Sequence, residues 1–409
     1  ETATLMTGRD IREHFGVRPM INLTGTLTVN GGISARPEAI EAAAAMLRHG
    51  VDMAEFQARA SQIIAAATGA EAGFVSACSA AGICMGIAGA MTGDDMAKIE
   101  QLPNTQGMKS EVVIQLGHVV NYGHSIGQDI RQTGAKTVAF GDVNAAKLHQ
   151  LEAAITPQTA AALYVVSHHC VDYGQIPFGT FRDVCAKHGV PVIVDLAAEY
   201  DLKSYLTAGA DLTIHSSHKF LGGPTAGIVA GKKTLVRTAF LQNYGIARPM
   251  KAGKESIAGA LAALQSWQVM DHQAERARQR EALGYWQRQL NDLPGTEATI
   301  DPDPTGNPFD RLKLAIDSNT AGLSALELVY QLETGDPPIM VRAHQLEHGY
   351  FIMDPRSLGQ GEQEIVTQRL RDIFAKAGQG DGPPNPASVH AWKTTKASAL
   401  KTWPDIEIA

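Results

Sequence analysis

The chain has 409 residues, enough for two or three domains with ample core. Hydrophobic residues make up 44% and charged residues 19%, and 35 basic against 42 acidic residues give a net charge of −7. This ordinary globular balance argues against nucleic acid as a partner, and apolar runs such as 161–167 are far too short to cross a bilayer. The 40 glycines sit in short clusters, as tight strand-to-helix turns require. The four cysteines, Cys78, Cys84, Cys170 and Cys185, form no CxxC pair and follow no secretory leader, so reduced thiols in a cytoplasmic protein are expected.

In chain order, residues 9–20 predict a short amphipathic helix leading into a glycine- and threonine-rich strand and loop, INLTGTLTVNGG (21–32). Helices follow from Pro37 towards Gly50 and over about 53–68. An alternation then sets in, with β-prone runs at 73–78, 111–115, 136–140, 161–167, 190–196, 210–216 and 227–231. Runs that are apolar throughout predict strands covered on both faces, and interleaved helices predict a largely parallel sheet. Ligands in such sheets sit beyond the carboxyl ends of the strands. After about 250 the pattern changes to a long helix or helix pair over 254–291. A strand, a helix at SALELVYQLETG, a β-hairpin across 338–353 and a helix over about 361–377 complete a smaller α/β domain. The expected organisation is an N-terminal segment packing with the small domain (1–50), a large domain (51–250), the small domain (251–376) and an extended C-terminal arm (377–409).

Three motifs carry chemistry. In ADLTIHSSHKFLGGPTAG (210–227) a strand ends at Ser216 and Lys219 follows before a glycine-rich turn. A lysine held in a cleft with a lowered pKa forms an imine with an aldehyde, although such a lysine alone also reads as a solvated charge. Asp195 interrupts an apolar strand at its carboxyl end, 24 residues before Lys219. A buried carboxylate needs a cation such as a protonated pyridine nitrogen; the other reading is a cap on the next helix. In VSACSAAGICMG (75–86) a strand runs through a Ser-Ala-Ala-Gly turn into a helix of small residues. Its N-terminal amides suit a phosphate, and tight helix packing accounts for the small residues equally well. Together, and in this order, the motifs meet the needs of pyridoxal 5′-phosphate: phosphate, ring nitrogen and aldehyde.

The arrangement resembles the fold-type-I pyridoxal-phosphate superfamily, specifically its selenocysteine synthase-like branch. The resemblance runs from INLTGTLT through SACSAAG, SHHCV, IVDLAAEYD and HSSHKFLGGPTAGIVAGKK to RPMKAGKESIAGALAAL. Within that branch the chain is similar to D-glucosaminate-6-phosphate ammonia-lyases, most specifically in ITPQTAAALYVVSHHCV, GADLTI and MKAGKE. The resemblance implies Lys219 as Schiff-base lysine and base, Asp195 at the pyridine nitrogen, and Ser216 with the backbone of Ser79, Ala80 and Ala81 on the phosphate. It implies His169 at the phenolate oxygen and adds His218, beside the lysine, to the cofactor set. His118 is the choice for the side chain stacked on the ring, with His124 and Tyr122 as competitors. Arg356, in MDPRSL, stands where relatives hold a substrate carboxylate. One departure is Phe220-Leu221-Gly222-Gly223, nearer the selenocysteine synthase pattern than that of the ammonia-lyases. This loop is expected beside the cofactor and so points to a different substrate.

A metal is not expected. Adjacent histidines on a strand, such as His168 and His169, point to opposite faces, and His215, His218 and Cys170 lack a known zinc spacing. HQLEH (344–348) lacks the glutamate of a zincin helix in second position. Glu199 reads as a surface helix carboxylate or a bond to a cofactor-side group. The expected activity is α,β-elimination from a β-hydroxy α-amino acid, D-configured or of sugar-acid type, to a 2-keto acid and ammonia. Aldol cleavage, racemisation and a catalytically silent pyridoxal-phosphate- or metal-binding protein remain as alternatives. A small amino-acid substrate and a homodimer or higher homo-oligomer sharing its site are the expected partners.

Overall fold

The computed structural model describes residues 10–171, 173–379, 384–390, 392 and 403–405. They divide into two compact units. The larger holds residues 26–270 and 304–308; the smaller holds the described residues up to Gly25, Asp271–Asp303 and those from Phe309 onward. Residues 26–50 thus group with the larger unit, whose boundary lies at Met270 instead of 250. The cause is packing, because helix Pro37–Leu47 lies against helix Lys254–Val269, which buries Ile257, Leu261 and Leu264. The expected arm over 377–409 falls mostly outside the described residues.

The first strand, β1 (Ile21–Leu23), belongs to the smaller unit. The larger unit is built on β2 (Ala72–Ser76), β3 (Glu111–Gln115), β4 (Lys136–Phe140), β5 (Thr159–Val165), β6 (Val192–Asp195), β7 (Leu212–Ser216) and β8 (Gly227–Gly231). Their order is β2-β8-β7-β6-β5-β3-β4; β8 runs antiparallel to both its neighbours and the other pairs are parallel. Every residue of β2, β5, β6, β7 and β8 is buried, as a sheet covered on both faces requires. Successive residues go to opposite faces: Ile193 packs with Ile83 and Ile87, whereas Val192 and Val194 pack with Phe181 and Cys185.

In the smaller unit β9 (Thr296–Pro302), β10 (Asp310–Ile316) and β12 (Tyr350–Met353) form an antiparallel sheet in the order β12-β10-β9, and β11 (Ile339–Val341) pairs in parallel with β1. The hairpin expected over 338–353 is therefore absent; β11 and β12 share just the isolated bridge Arg342–Ile352. Ile339 and Val341 instead join Ile21 and Leu23 in the core under helix Ala325–Thr334. The stretch 254–291 is a helix pair. Met270 turns extended and Asp271 caps helix His272–Leu290 through the Gln273 and Ala274 amides. The helix expected over 9–20 shrinks to Ile11–His14, with Gly16 at φ 68 beyond it. Among the described residues no helix is long and apolar enough to cross a membrane, and the four cysteines are free thiols.

Candidate active site

The strand order reverses between β3 and β5, and a cavity opens beyond the carboxyl ends of β3, β5, β6 and β7. Asp195, Lys219 and Ser79, drawn from separate motifs, line this one cavity. Register explains the convergence, because Val165 pairs with Asp195 and Asp195 with Ile214, two residues before Ser216. A second hollow, lined by Arg182, Pro191, Asp211 and Lys232, gathers none of these groups.

Asp195 closes β6 and is buried. Its Oδ1 accepts the Ala197 amide at 3.0 Å, so the carboxylate caps a turn and not a helix. Burial pushes its carboxyl up to about 6, against the pull of Lys219 and the Ala197 amide. A carboxylate this deep and only partly compensated fits a protonated ring nitrogen.

The cup forms where β2 enters helix Ser79–Thr92. Cys78 is its N-cap; its thiol accepts the Ala81 amide at 3.4 Å and its carbonyl accepts Gly82 N at 3.0 Å. The Ser79 and Ala80 amides, in the first turn, have no acceptor within the helix. Ser216, at the end of β7, donates its hydroxyl to that of Ser79 at 2.8 Å. Two hydroxyls and the positive end of a helix suit a phosphate. Gly227 of β8 must lack a side chain here, since a Cβ would stand 2.3 Å from Ser76 Oγ and 2.6 Å from the Cys78 carbonyl.

Lys219 sits in a π-type turn, Ser217–Leu221, with non-helical φ −102° and ψ −123°. The residues after it do not line the cavity. Phe220 and Leu221 are buried, Phe220 lies edge-on to Tyr200, and Arg36 Nε donates to the Leu221 carbonyl at 2.8 Å. The loop expected to report a changed substrate is thus packing behind the lysine. His218 is not itself a lining residue and meets the loop at 26–33. Its Nε2 shares a hydrogen bond with Thr28 Oγ1 at 3.1 Å and its carbonyl accepts Ile33 N. Gly32, at φ 77, allows this approach, because a Cβ would lie 2.4 Å from that carbonyl. The same loop brings Thr26, Leu27 and Thr28 into the cavity wall, which sequence reading missed.

On the far wall His118 is not a lining residue. It is buried beside β5, where its Nδ1 accepts the Val165 amide at 3.0 Å and its ring meets Tyr164 edge-on. Burial holds its pKa down to about 4, so it is a neutral acceptor. Tyr122 occupies the wall instead. Its hydroxyl donates to Asp129, whose other oxygen meets His124 Nε2 at 2.7 Å. Asp129 is a buried carboxylate on helix Ile126–Gln132 that the sequence did not single out. Burial raises its pKa, and the bonds from Tyr122 and His124 oppose the rise. His168 and His169 both line the cavity. They lie in a turn after β5 and not on the strand, and their rings come within 4.0 Å, so strand alternation does not part them.

Arg356 belongs to the smaller unit. Its Nε donates to both Asp354 oxygens, at 2.9 and 3.1 Å, and its guanidinium lies 4.2 Å over the Phe309 ring. Arg311 joins the cluster, with Nε 3.1 Å from Asp354 and Nη1 2.8 Å from Asp303. Burial works to raise the Asp354 carboxyl, but Arg356 and Arg311 hold it well below the usual range. Arg342 is buried nearby, lowered to about 10 by burial and by Arg311. Glu199 is in no helix; it accepts the Thr305 hydroxyl at 2.9 Å. Among the described residues no group of three or more His, Cys, Asp or Glu is placed to hold a metal.

The L-seryl-tRNA selenium transferase family model matches residues 20–292. D-glucosaminate-6-phosphate ammonia lyase of Salmonella typhimurium is 35% identical over 90% of this chain and 99% of its own. A 5′-C-glycyluridine monooxygenase-decarboxylase of a Streptomyces species is 34% identical over 90% of this chain and 92% of its own. The solved structure of D-glucosaminate-6-phosphate ammonia-lyase superposes with a TM-score of 0.83, at 34% identity, covering 91% of this chain and all of that one. A Thermus thermophilus aspartate aminotransferase, 14% identical, shares the fold with a TM-score of 0.51 over 90% of this chain.

Proposed function

Because the chain belongs to the L-seryl-tRNA selenium transferase family, whose fold and cofactor are those of fold-type-I pyridoxal 5′-phosphate enzymes, we propose that it is a lyase. It takes ammonia from a β-hydroxy α-amino acid of aminosugar-acid type by α,β-elimination. The observation that carries this is the convergence of Lys219, Asp195 and Ser79 in one cavity. Bound there, the cofactor supplies an electron sink for the pair freed at the substrate's α-carbon.

In this reading Lys219 Nζ would hold the cofactor's aldehyde carbon and would serve as the base for the substrate's α-proton. Asp195 keeps a proton on the ring nitrogen. Ser79, Ser216 and the first-turn amides of Ser79, Ala80 and Ala81 take the phosphate, with the Ala81 amide turning from the Cys78 thiol. His169 would serve the phenolate oxygen, and Tyr122, which lines the cavity as His118 does not, would take the stacking role. Arg356 is assigned the substrate carboxylate on the family resemblance, and its Nε–Nη2 edge is already engaged by Asp354. Thr26, Thr28 and Ser167 give the cavity hydroxyl-bearing walls, in keeping with a polyhydroxylated substrate. A second copy of the chain completes the site in a cytoplasmic homo-oligomer. Support for a partner comes from Ile40 and Leu47, exposed seven residues apart on one face of helix Pro37–Leu47.

The test is a panel of D- and L-β-hydroxy amino acids and aminosugar acids given to wild type and Lys219→Ala. Ammonia and a 2-keto acid from wild type, with visible cofactor absorbance lost in the variant, are expected. An aldehyde plus glycine would establish an aldolase instead.

A further inference from the structure

Elimination from a β-hydroxy acid needs an acid, because hydroxide is a poor leaving group. The cavity restricts the choice. Thr26, Thr28, Ser79 and Ser167 are alcohols, far too weakly acidic at neutral pH. Tyr122 donates its proton to buried Asp129, and burial together with that carboxylate pushes its pKa far up. Asp195 is committed to the ring nitrogen and Lys219 to the α-proton. That leaves the two imidazoles, His168 and His169.

Their geometry divides the work. The rings lie 4.0 Å apart at 40°. That separation keeps both imidazoles in the same part of the cavity lining. The turn is pinned by the His169 amide, which donates to Ser167 Oγ at 3.2 Å, and by Cys170 N, which donates to the Ser167 carbonyl at 3.0 Å. With His169 assigned to the phenolate oxygen by the resemblance, His168 is the remaining imidazole among the cavity's lining residues.

We propose that His168 is the general acid that protonates the departing β-hydroxyl, an assignment that rests on the lyase reading. The α-proton goes to Lys219 Nζ, and the electron pair of that bond becomes the Cα–Cβ double bond. The Cβ–O pair leaves with oxygen, which takes the proton of the His168 imidazolium and departs as water. The enamine takes at Cβ the proton that Lys219 removed and, once released, adds water at Cα and loses ammonia, giving the 2-keto acid. His168 regains its proton from solvent. No oxidant or reductant is required.

The experiment compares a β-hydroxy amino acid accepted by wild type with its β-chloro counterpart, since chloride leaves without a proton. His168→Asn and His168→Gln holoenzymes are measured beside wild type and His169→Asn. The chloro-to-hydroxy rate ratio should rise roughly 10²–10⁴-fold in both His168 variants, the range general acids contribute. The absorbance maximum of their bound cofactor should match wild type, whereas that of His169→Asn should move. A wild-type ratio in both His168 variants overturns the assignment, as does an absorbance shift like that of His169→Asn. Should wild type release ammonia from no β-hydroxy amino acid of the panel, the lyase reading falls and this assignment with it.

Discussion

Ser216 Oγ donates to Ser79 Oγ over 2.8 Å, joining the end of β7 to the first turn of the helix after β2 across 137 residues of chain. The bond sets the two hydroxyls side by side at the first turn of that helix, where the proposed phosphate contact needs both. Ser79→Ala and Ser216→Ala should each weaken pyridoxal phosphate binding about tenfold, near the 1.5 kcal/mol of one hydrogen bond to a charged group. Titration of the visible absorbance checks this. Because the hydroxyls also bond each other, the double variant should lose less than the two singles added together.

Asp195 makes a stability prediction with an unusual sign. Its carboxyl is raised from 3.8 to about 6 by burial, so the folded, cofactor-free protein holds that proton more tightly than the unfolded chain. Raising the pH through about 6 therefore costs stability, about 3 kcal/mol when complete. Asp195→Asn should raise the melting temperature of the cofactor-free protein at pH 7, and the gain should fade below about pH 4. The same variant should bind the cofactor more weakly.

His118, His215 and His218 are each held down to about 4, by burial first and in His218 also by Lys219. Their neutral forms alone suit the folded state, and the unfolded chain takes up their protons near pH 6.5. Their contribution is thus complete above pH 6.5 and lost as pH falls towards 4, by up to about 3 kcal/mol each. Denaturant melts of His118→Gln should have a shallower acid limb than wild type. An unaltered limb would refute the burial argument.

Asp354 stands between Arg311 and Arg356, fully buried. Asp354→Asn leaves those guanidiniums without their shared anion and should cost about 3–5 kcal/mol, read as a lowered melting temperature. Arg356→Lys keeps the charge and loses the fork, so it should raise KM for a carboxylate substrate more than it lowers kcat.

Much of the fold was legible in the chain because strands covered on both faces are apolar throughout; β3 and β8 lie where their runs predict. The hairpin over 338–353 misled, because alternation fits any strand with one buried face and does not identify its partner. β11 found β1, more than 300 residues earlier. His168 and His169 misled for a local reason, since β5 ends at Val165 and the pair falls in a turn.

By itself the sequence determined the cofactor chemistry: a lysine, an aspartate and a small-residue turn, each at the end of an apolar run. Strand ends are set locally, by where apolar residues stop and glycine or a capping residue begins, and local chemistry can be read in order along a chain. Tertiary structure alone decided which polar groups share the cavity with Lys219. His118 turned into the core, Tyr122 took the wall under the hold of Asp129, and the Phe220–Gly223 loop packed behind the lysine. Those outcomes depend on burial and on partners distant in the chain, and no spacing along it records either.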